Sequence, residues 1–410
     1  MNGEDHRFDT AELDSARHGG RSERKQKRRR KSREHRVPRW VYRIVLILFL
    51  CVLSMLVWFN RDNLTPANVL TWAEDRVVGM GVGDGYPYQI AGSAVLKQNF
   101  VSEDKNLYLV SDTAVMAFNA SAKPLINRQH SFSSPVLKAS GSRMLVYNLG
   151  GRGCQVESPS KTIAKFSADG DILAGAVSPS GRYALVTQAD GYCGKLTVYS
   201  SDGRVQSYYW FSDYYPTAAA LSPDGTRAAV TGVSSKSGEL VSALYLIDLN
   251  SGKAVSPFAE YEDNLLFSVS WDSDSAVAAV GDKALAVVNP NTRSKAEFDY
   301  GGRQLTAYCS GEGKTALGLS NYEGSSESEL ILLDKTGSAS FTAKFEKQVT
   351  AVSLFGQTLA ALSGGKVTFY PASGPAKTAD AGSDARTVTL CDESSAYVLG
   401  VSEIRRIYGG

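Results

Sequence analysis

The densest run of side chains able to bind something lies at residues 207–217 (SYYWFSDYYPT), where Tyr208, Tyr209, Trp210, Phe211, Tyr214 and Tyr215 crowd into eleven positions. Rings of this size either pack neighbouring elements or, when exposed, stack on a sugar or anchor a protein partner. Trp210, Tyr214 and Tyr215 are the candidate binding residues. Five cysteines are present, Cys51, Cys154, Cys193, Cys309 and Cys391, with no C-x-x-C among them. That spacing argues against a zinc knuckle or a thioredoxin-like site. Three of the four histidines, His6, His18 and His35, precede residue 40, which leaves His130 alone for any Ser-His-Asp triad and rules out a multi-histidine metal site within one chain. No G-x-S-x-G, H-E-x-x-H, Walker loop or EF-hand pattern occurs, and no cofactor is implied. Carboxylates are plentiful, but in turns such as Asp202-Gly203 and Asp224-Gly225 they serve turn geometry first.

From about residue 93 the chain repeats with a period near 40 residues. Each unit opens with an apolar strand, a tight polar turn and a second apolar strand. The turn is plainest at 176–186 (AVSPSGRYALV) and 220–230 (ALSPDGTRAAV). Looser copies occupy 268–280, 306–319, 350–362 and 388–401, and two weaker ones come first, at 95–110 and 136–147. Four strands per repeat of this length is the signature of a β-propeller blade. Eight copies predict eight blades, or seven if one weak early copy is not a blade. The last copy runs out after three strands, so a strand at 86–90 is expected to supply the fourth and close the ring, hiding the sheet edges. The aromatic run then falls on an outer strand and the loop into the next blade, at the rim where ligands bind. Cys154 (GGRGC) and Cys193 (DGYCG) are expected in equivalent inner hairpins of consecutive repeats. They are a disulfide candidate; closing a loop of about 39 residues would contribute roughly 3–4 kcal/mol. The alternative is two free thiols. Cys309 and Cys391, two blades apart, are expected to be packed as small hydrophobes.

The chain before the repeats is of another kind. Residues 44–59 (IVLILFLCVLSMLVWF) carry no charge. Extended back to residue 41, the run would span roughly 28 Å as a helix, close to the hydrocarbon thickness of a bilayer. Trp40, Tyr42 and Trp58 stand where interfacial aromatics would. Residues 1–59 hold 14 basic and 7 acidic side chains, against 30 and 35 in the remainder. The excess of Lys and Arg before the apolar run puts the N-terminus in the cytoplasm and the large domain outside. The expected organisation is a basic, disordered tail (1–39) beside anionic lipid headgroups, a transmembrane helix (40–59), a linker with a short helix at 67–76 (60–85), and an all-β propeller (86–410). The mildly acidic large domain argues against nucleic acid as a partner.

Ser222-Pro223-Asp224-Gly225 matches fully, and Ser178-Pro179-Ser180-Gly181 nearly, the turn of WD40-like bacterial propellers. The chain as a whole resembles an uncharacterised family of single-pass membrane proteins with a WD40-like (PD40-like) propeller ectodomain from anaerobic Gram-positive bacteria. The matching residues are Thr65-Pro66-Ala67-Asn68 and the segment from Gly79 to Pro87, whose glycines at 79, 81, 83 and 85 do not form the G-x-G-x-x-G dinucleotide fingerprint. The resemblance implies no activity. The expected function is a membrane-anchored, extracytoplasmic scaffold that binds a protein or a polysaccharide at the cell surface. The alternative is a carbohydrate-active enzyme, a hydrolase or lyase, using two carboxylates on the propeller face.

Overall fold

The computed structural model describes residues 39–59, 66–90, 94–252, 254–322 and 324–409. The basic tail lies outside the described residues. The chain divides into two units, one ending at Phe59 and one beginning at Asn60.

In the first unit, helix α1 spans Arg39–Phe59. Its described side chains, at 40–55, include apolar groups exposed all round, among them Ile44, Leu48, Phe49 and Met55. Among the described residues, no helix is long and apolar enough to cross a membrane.

The second unit holds eight four-stranded antiparallel sheets among its described residues. Blades 1 to 7 occupy residues 95–129, 135–167, 172–211, 215–262, 266–299, 304–345 and 349–380. Blade 8 combines Thr387–Leu390, Ser395–Leu399 and Glu403–Tyr408 with the distant strand Tyr88–Gln89. All eight turn copies, including the weak ones at 95–110 and 136–147, form the inner hairpins of successive blades. The count is therefore eight rather than seven.

Apolar burial explains why these strands read as continuous hydrophobic runs. Eight core clusters are present, one between each pair of adjacent blades. A middle strand feeds two of them, one from each face, so Ala276–Gly281 is buried at every position. The turns are fixed locally. Ser222 Oγ donates to Asp224 Oδ1 at 2.5 Å, and the Gly225 N–H donates to the Ser222 carbonyl at 2.8 Å. Gly225 has φ +70°, and a Cβ there would sit 2.4 Å from Ser180 Oγ of the preceding blade. Arg182 Nη1 donates to the Gly225 carbonyl at 2.9 Å, linking the two turns.

Ring closure follows the expected scheme, with a shorter strand. Tyr88 and Gln89 pair with Ile404 and Glu403, and the Ile90 N–H adds a bond to the Ser402 carbonyl at 2.8 Å. Tyr86 packs on Tyr397 and Tyr88 on Phe118, with ring centroids 5.2 and 4.4 Å apart. Helix α2 (Pro66–Gly79) outlasts the expected 67–76, and in its last turn the Val78 carbonyl accepts from Lys123 Nζ at 2.9 Å and the Gly79 carbonyl from Asn119 Nδ2 at 3.4 Å. Asp75 is buried and accepts from the Ser160 N–H (2.9 Å), Ser160 Oγ (2.6 Å) and Ser142 Oγ (3.1 Å), which lie in the two turns at one end of blade 2. The glycines that follow permit close approach. A Cβ on Gly83 would lie 2.2 Å from the backbone nitrogen of Lys123, in the turn between the last two strands of blade 1. The segment is a strap laid against protein, with no phosphate-binding geometry.

Candidate functional site

The outer strand of blade 3, Val205–Phe211, alternates in burial. Tyr209 and Phe211 face blade 4: Phe211 meets Tyr245 edge-on at 5.0 Å, and Tyr209 Oη donates to the Asp248 carbonyl at 3.2 Å. Tyr208 and Trp210 face the other way and are each 45% exposed. Trp210 stands opposite Lys195 on the neighbouring strand. Its ring lies 5.9 Å from that of Tyr208 and 6.2 Å from that of Tyr192, in the hairpin after Gly191.

These rings line a cleft of about 820 Å³ at the end of the ring opposite the turns that hold α2. In a four-stranded meander, the loops joining strands two and three, and those leading to the next blade, share one end. The cleft is built from such loops: 149–152 and 168–171 of blade 2, the 190–191 turn of blade 3, and the entry into blade 4 at Tyr215 and Pro216. Its floor is stitched by backbone bonds. The Ile172 N–H donates to the Gly151 carbonyl at 2.8 Å, the Ala168 N–H to Arg152 at 2.8 Å, and the Gln188 N–H to Asp171 at 2.9 Å. A Cβ on Gly170 would fall 2.2 Å from the Gln188 carbonyl oxygen, so only glycine lets the two loops touch.

Among the described residues, four of the five charges lining the cleft are paired, Asp190 being the exception. Lys195 Nζ lies 2.9 Å from Asp169 and 5.3 Å from the Tyr208 ring centroid, and Arg152 Nε lies 3.3 Å from Asp171. A second recess of about 420 Å³ adjoins the cleft, sharing Asp169 and Tyr208 and running down between the outer strands of blades 2 and 3 to Asp202 and Gly203.

Of the three residues expected to bind, the structure brings Trp210 and Tyr215 to the cleft; Tyr215 is 63% exposed. Tyr214 is a correction. It is 2% exposed and packs edge-on against Tyr245, with Oη donating to Glu260 Oε1 at 2.7 Å. Lys236, 2.5 Å from the same carboxylate, holds Glu260 below its usual range, with the Tyr214 bond adding to the effect. Tyr214 is a strut between blades. Tyr192, Tyr208 and the Lys195–Asp169 pair went unselected. The available signal was period two: Trp210 and Tyr208 share a face, and a strand opposite contributes Lys195 to it.

The disulfide expectation is also corrected. Cys154 and Cys193 are free. Each sits on or beside the third strand of its blade rather than in an inner hairpin, and they join different interblade clusters. Burial pushes the Cys154 thiol up to about 12. Cys193 Sγ donates to the Ser212 carbonyl at 3.3 Å, and desolvation together with Asp213 raises its pKa. Cys391 is fully buried and Cys309 half-buried, in blades 8 and 6, as expected of packed hydrophobes. His130 is a structural histidine. Its Nε2 is 3.0 Å from the Ser111 carbonyl, Nδ1 accepts from the Phe132 N–H at 3.1 Å, and burial lowers its pKa.

Residues 87–407, nearly the whole propeller, match the sequence profile of a family of unknown function, DUF5711. The chain belongs to that family. No curated protein matches the sequence. Among solved structures, Sqt1 of Saccharomyces cerevisiae is similar over 80% of this chain and all of its own, at 14% identity and a TM-score of 0.52. BamB from Moraxella catarrhalis is similar over 78% of this chain and all of its own, at 11% identity and a TM-score of 0.48. At such identities the likeness to Sqt1 shows the propeller fold of this DUF5711 protein and transfers no site residue. The expectation of an uncharacterised propeller family is met.

Proposed function

We propose that this DUF5711 protein is a membrane-anchored binding scaffold whose propeller offers the blade 3 cleft to a partner outside the cytoplasm. One observation carries the reading: four exposed rings, Tyr192, Tyr208, Trp210 and Tyr215, gather at one cleft. Exposed aromatic clusters on a rigid frame are the usual energetic centres of recognition. The cleft also opens at the end of blades 2 and 3 remote from the turns that hold α2.

The anchor rests on sequence as well as structure. Helix α1 coincides with the uncharged run, its described apolar side chains are exposed on all sides, and the basic residues precede it. A helix hydrophobic all round belongs in lipid or in a large core. The positive-inside rule then places the propeller outside. Binding is favoured over hydrolysis because Asp169 and Asp171 are both committed to cations, which leaves a single carboxylate, Asp190, unpaired in the cleft among the described residues, where hydrolysis takes two.

Site-specific photo-cross-linking tests this. The full chain carries p-benzoylphenylalanine at position 215 in one sample and at position 408 in another; Tyr408 is a similarly exposed residue on blade 8. Irradiation of intact cells is expected to give a discrete adduct from 215 and none from 408. Equal labelling, or no adduct from 215, would count against the cleft.

A further inference from the structure

We infer that the occupant of the cleft is a neutral polysaccharide chain, lying along the groove that joins the two recesses between blades 2 and 3. The inference rests on the reading of blade 3 as a binding site and adds the chemistry of the ligand.

Shape is the first support. The recesses of about 820 and 420 Å³ meet at Asp169 and Tyr208, so together they form one elongated groove rather than a closed pocket. An extended polymer fits such a form; a compact metabolite would leave most of it wet. The rings follow the same line. Tyr192, Trp210 and Tyr208 succeed one another at 6.2 and 5.9 Å, and the Phe166–Tyr199 pair, 5.2 Å between centroids, continues the apolar wall into the lower recess. Successive ring faces of this kind suit the flat C–H faces of successive sugar units.

Charge is the second. Lys195 is paired with Asp169, Arg152 with Asp171, and Asp202 with Arg204 at 2.8 Å. Among the described residues, the lining charges without an ion pair, Lys165 and Asp190, are opposite in sign. A basic peptide would find the carboxylates already engaged, and an anionic polymer would find the cations engaged. A neutral polyol needs neither. Each ion-paired carboxylate still has lone pairs free to accept sugar hydroxyls, and Gln188 and Thr197 add neutral donors and acceptors.

The test uses the full-length chain in lauryldimethylamine oxide micelles, because alkyl glycoside detergents would themselves present a sugar. Cellohexaose, xylohexaose, mannohexaose, maltohexaose and chitohexaose are titrated by calorimetry, with polygalacturonate, a nona-arginine peptide and a proline-rich peptide alongside. At least one neutral hexasaccharide is expected to bind saturably, about tenfold more tightly than its own disaccharide. Trp210→Ala is expected to weaken it about tenfold or more, the loss of one aromatic hot spot, while Trp210→Phe retains part of the affinity and both variants melt with the parent. Absence of binding by all five sugars overturns the inference. So does binding unchanged by Trp210→Ala, or tighter binding of a peptide or of the polyanion at the same groove. A protein adduct from position 215 without any sugar binding would sink the inference and leave the binding-scaffold reading standing; failure of both experiments would sink both.

Discussion

At the seam of blade 8, Tyr86 and Tyr88 turn their rings inward onto Tyr397 and Phe118. At blade 3, Tyr208 and Trp210 turn theirs outward. Both regions join aromatic rings to ion pairs, with opposite results. In the seam, Arg405 binds Asp384 (2.7 Å) and Glu403 (2.6 Å), Gln89 Nε2 donates to Glu403 (2.8 Å), and Tyr397 Oη donates to the Lys105 carbonyl (2.8 Å). The Gln89–Glu403 and Tyr397–Lys105 bonds join segments some three hundred residues apart and close the ring. At blade 3 the ring faces of Tyr208 and Trp210 are left half exposed. The seam buries its rings in the closure of the ring, and blade 3 carries exposed apolar surface on the face that does not pack against blade 4.

That contrast can be broken most forcefully at the seam. Tyr397→Ala removes a fully buried ring and its hydrogen bond, and urea unfolding is expected to show a loss of about 3–5 kcal/mol. Gly83→Ala forces the strap away from Lys123. A loss of about 1–3 kcal/mol is expected by the same measurement, as for an overpacked contact. Tyr214→Phe deletes only the bond to Glu260 and should cost about 1 kcal/mol, which a melting curve resolves. A near-zero effect there would mean that ring packing alone, without the bond to Glu260, holds Tyr214 in place.

The seam also carries a pH signature. Asp384 is held down to about 2 by the Arg405 guanidinium, with help from the Val401 N–H at 3.0 Å. An aspartate with a depressed folded pKa contributes stability above its unfolded value of about 4, and that contribution is lost as pH falls from about 4 towards 2. Asp384→Asn should therefore unfold earlier than the parent at pH 7, with the gap narrowing across that window. A gap that stays constant would mean that the carboxylate charge is not what closes the ring. The smallest expected effect is at blade 3: Tyr208→Ala and Trp210→Ala should each change stability by no more than about 0.5 kcal/mol, as surface substitutions do.

Much of the seam was legible in sequence. The eight inner turns recur at a period near 40 residues, with Ser-Pro-Asp-Gly complete at 222–225 and nearly so at 178–181, and the missing fourth strand of the last repeat called for a strand at 86–90, found at Tyr88–Gln89. The cleft was legible only in part. The run at 207–217 announced aromatic density, but a strand shows alternate residues to opposite sides, and no local feature says which parity faces a neighbour. Parity assigns Tyr208 and Trp210 to the groove and Tyr209 and Phe211 to the core, and the entry into blade 4 then buries Tyr214 and exposes Tyr215. Tyr192 was hidden for a different reason. Its place in the cleft depends on loops of three blades meeting, a contact between positions distant in sequence. The cysteines failed similarly, since similar places in a repeat are separated by a blade of packed side chains.

The most direct test of the central claim is one titration of the parent and of the Tyr208→Ala/Trp210→Ala double variant with the hexasaccharide that the parent binds, alongside urea unfolding of both. Loss of binding with the unfolding midpoint unchanged is the predicted result. Retained binding, or a loss of stability that matches the loss of binding, would contradict it.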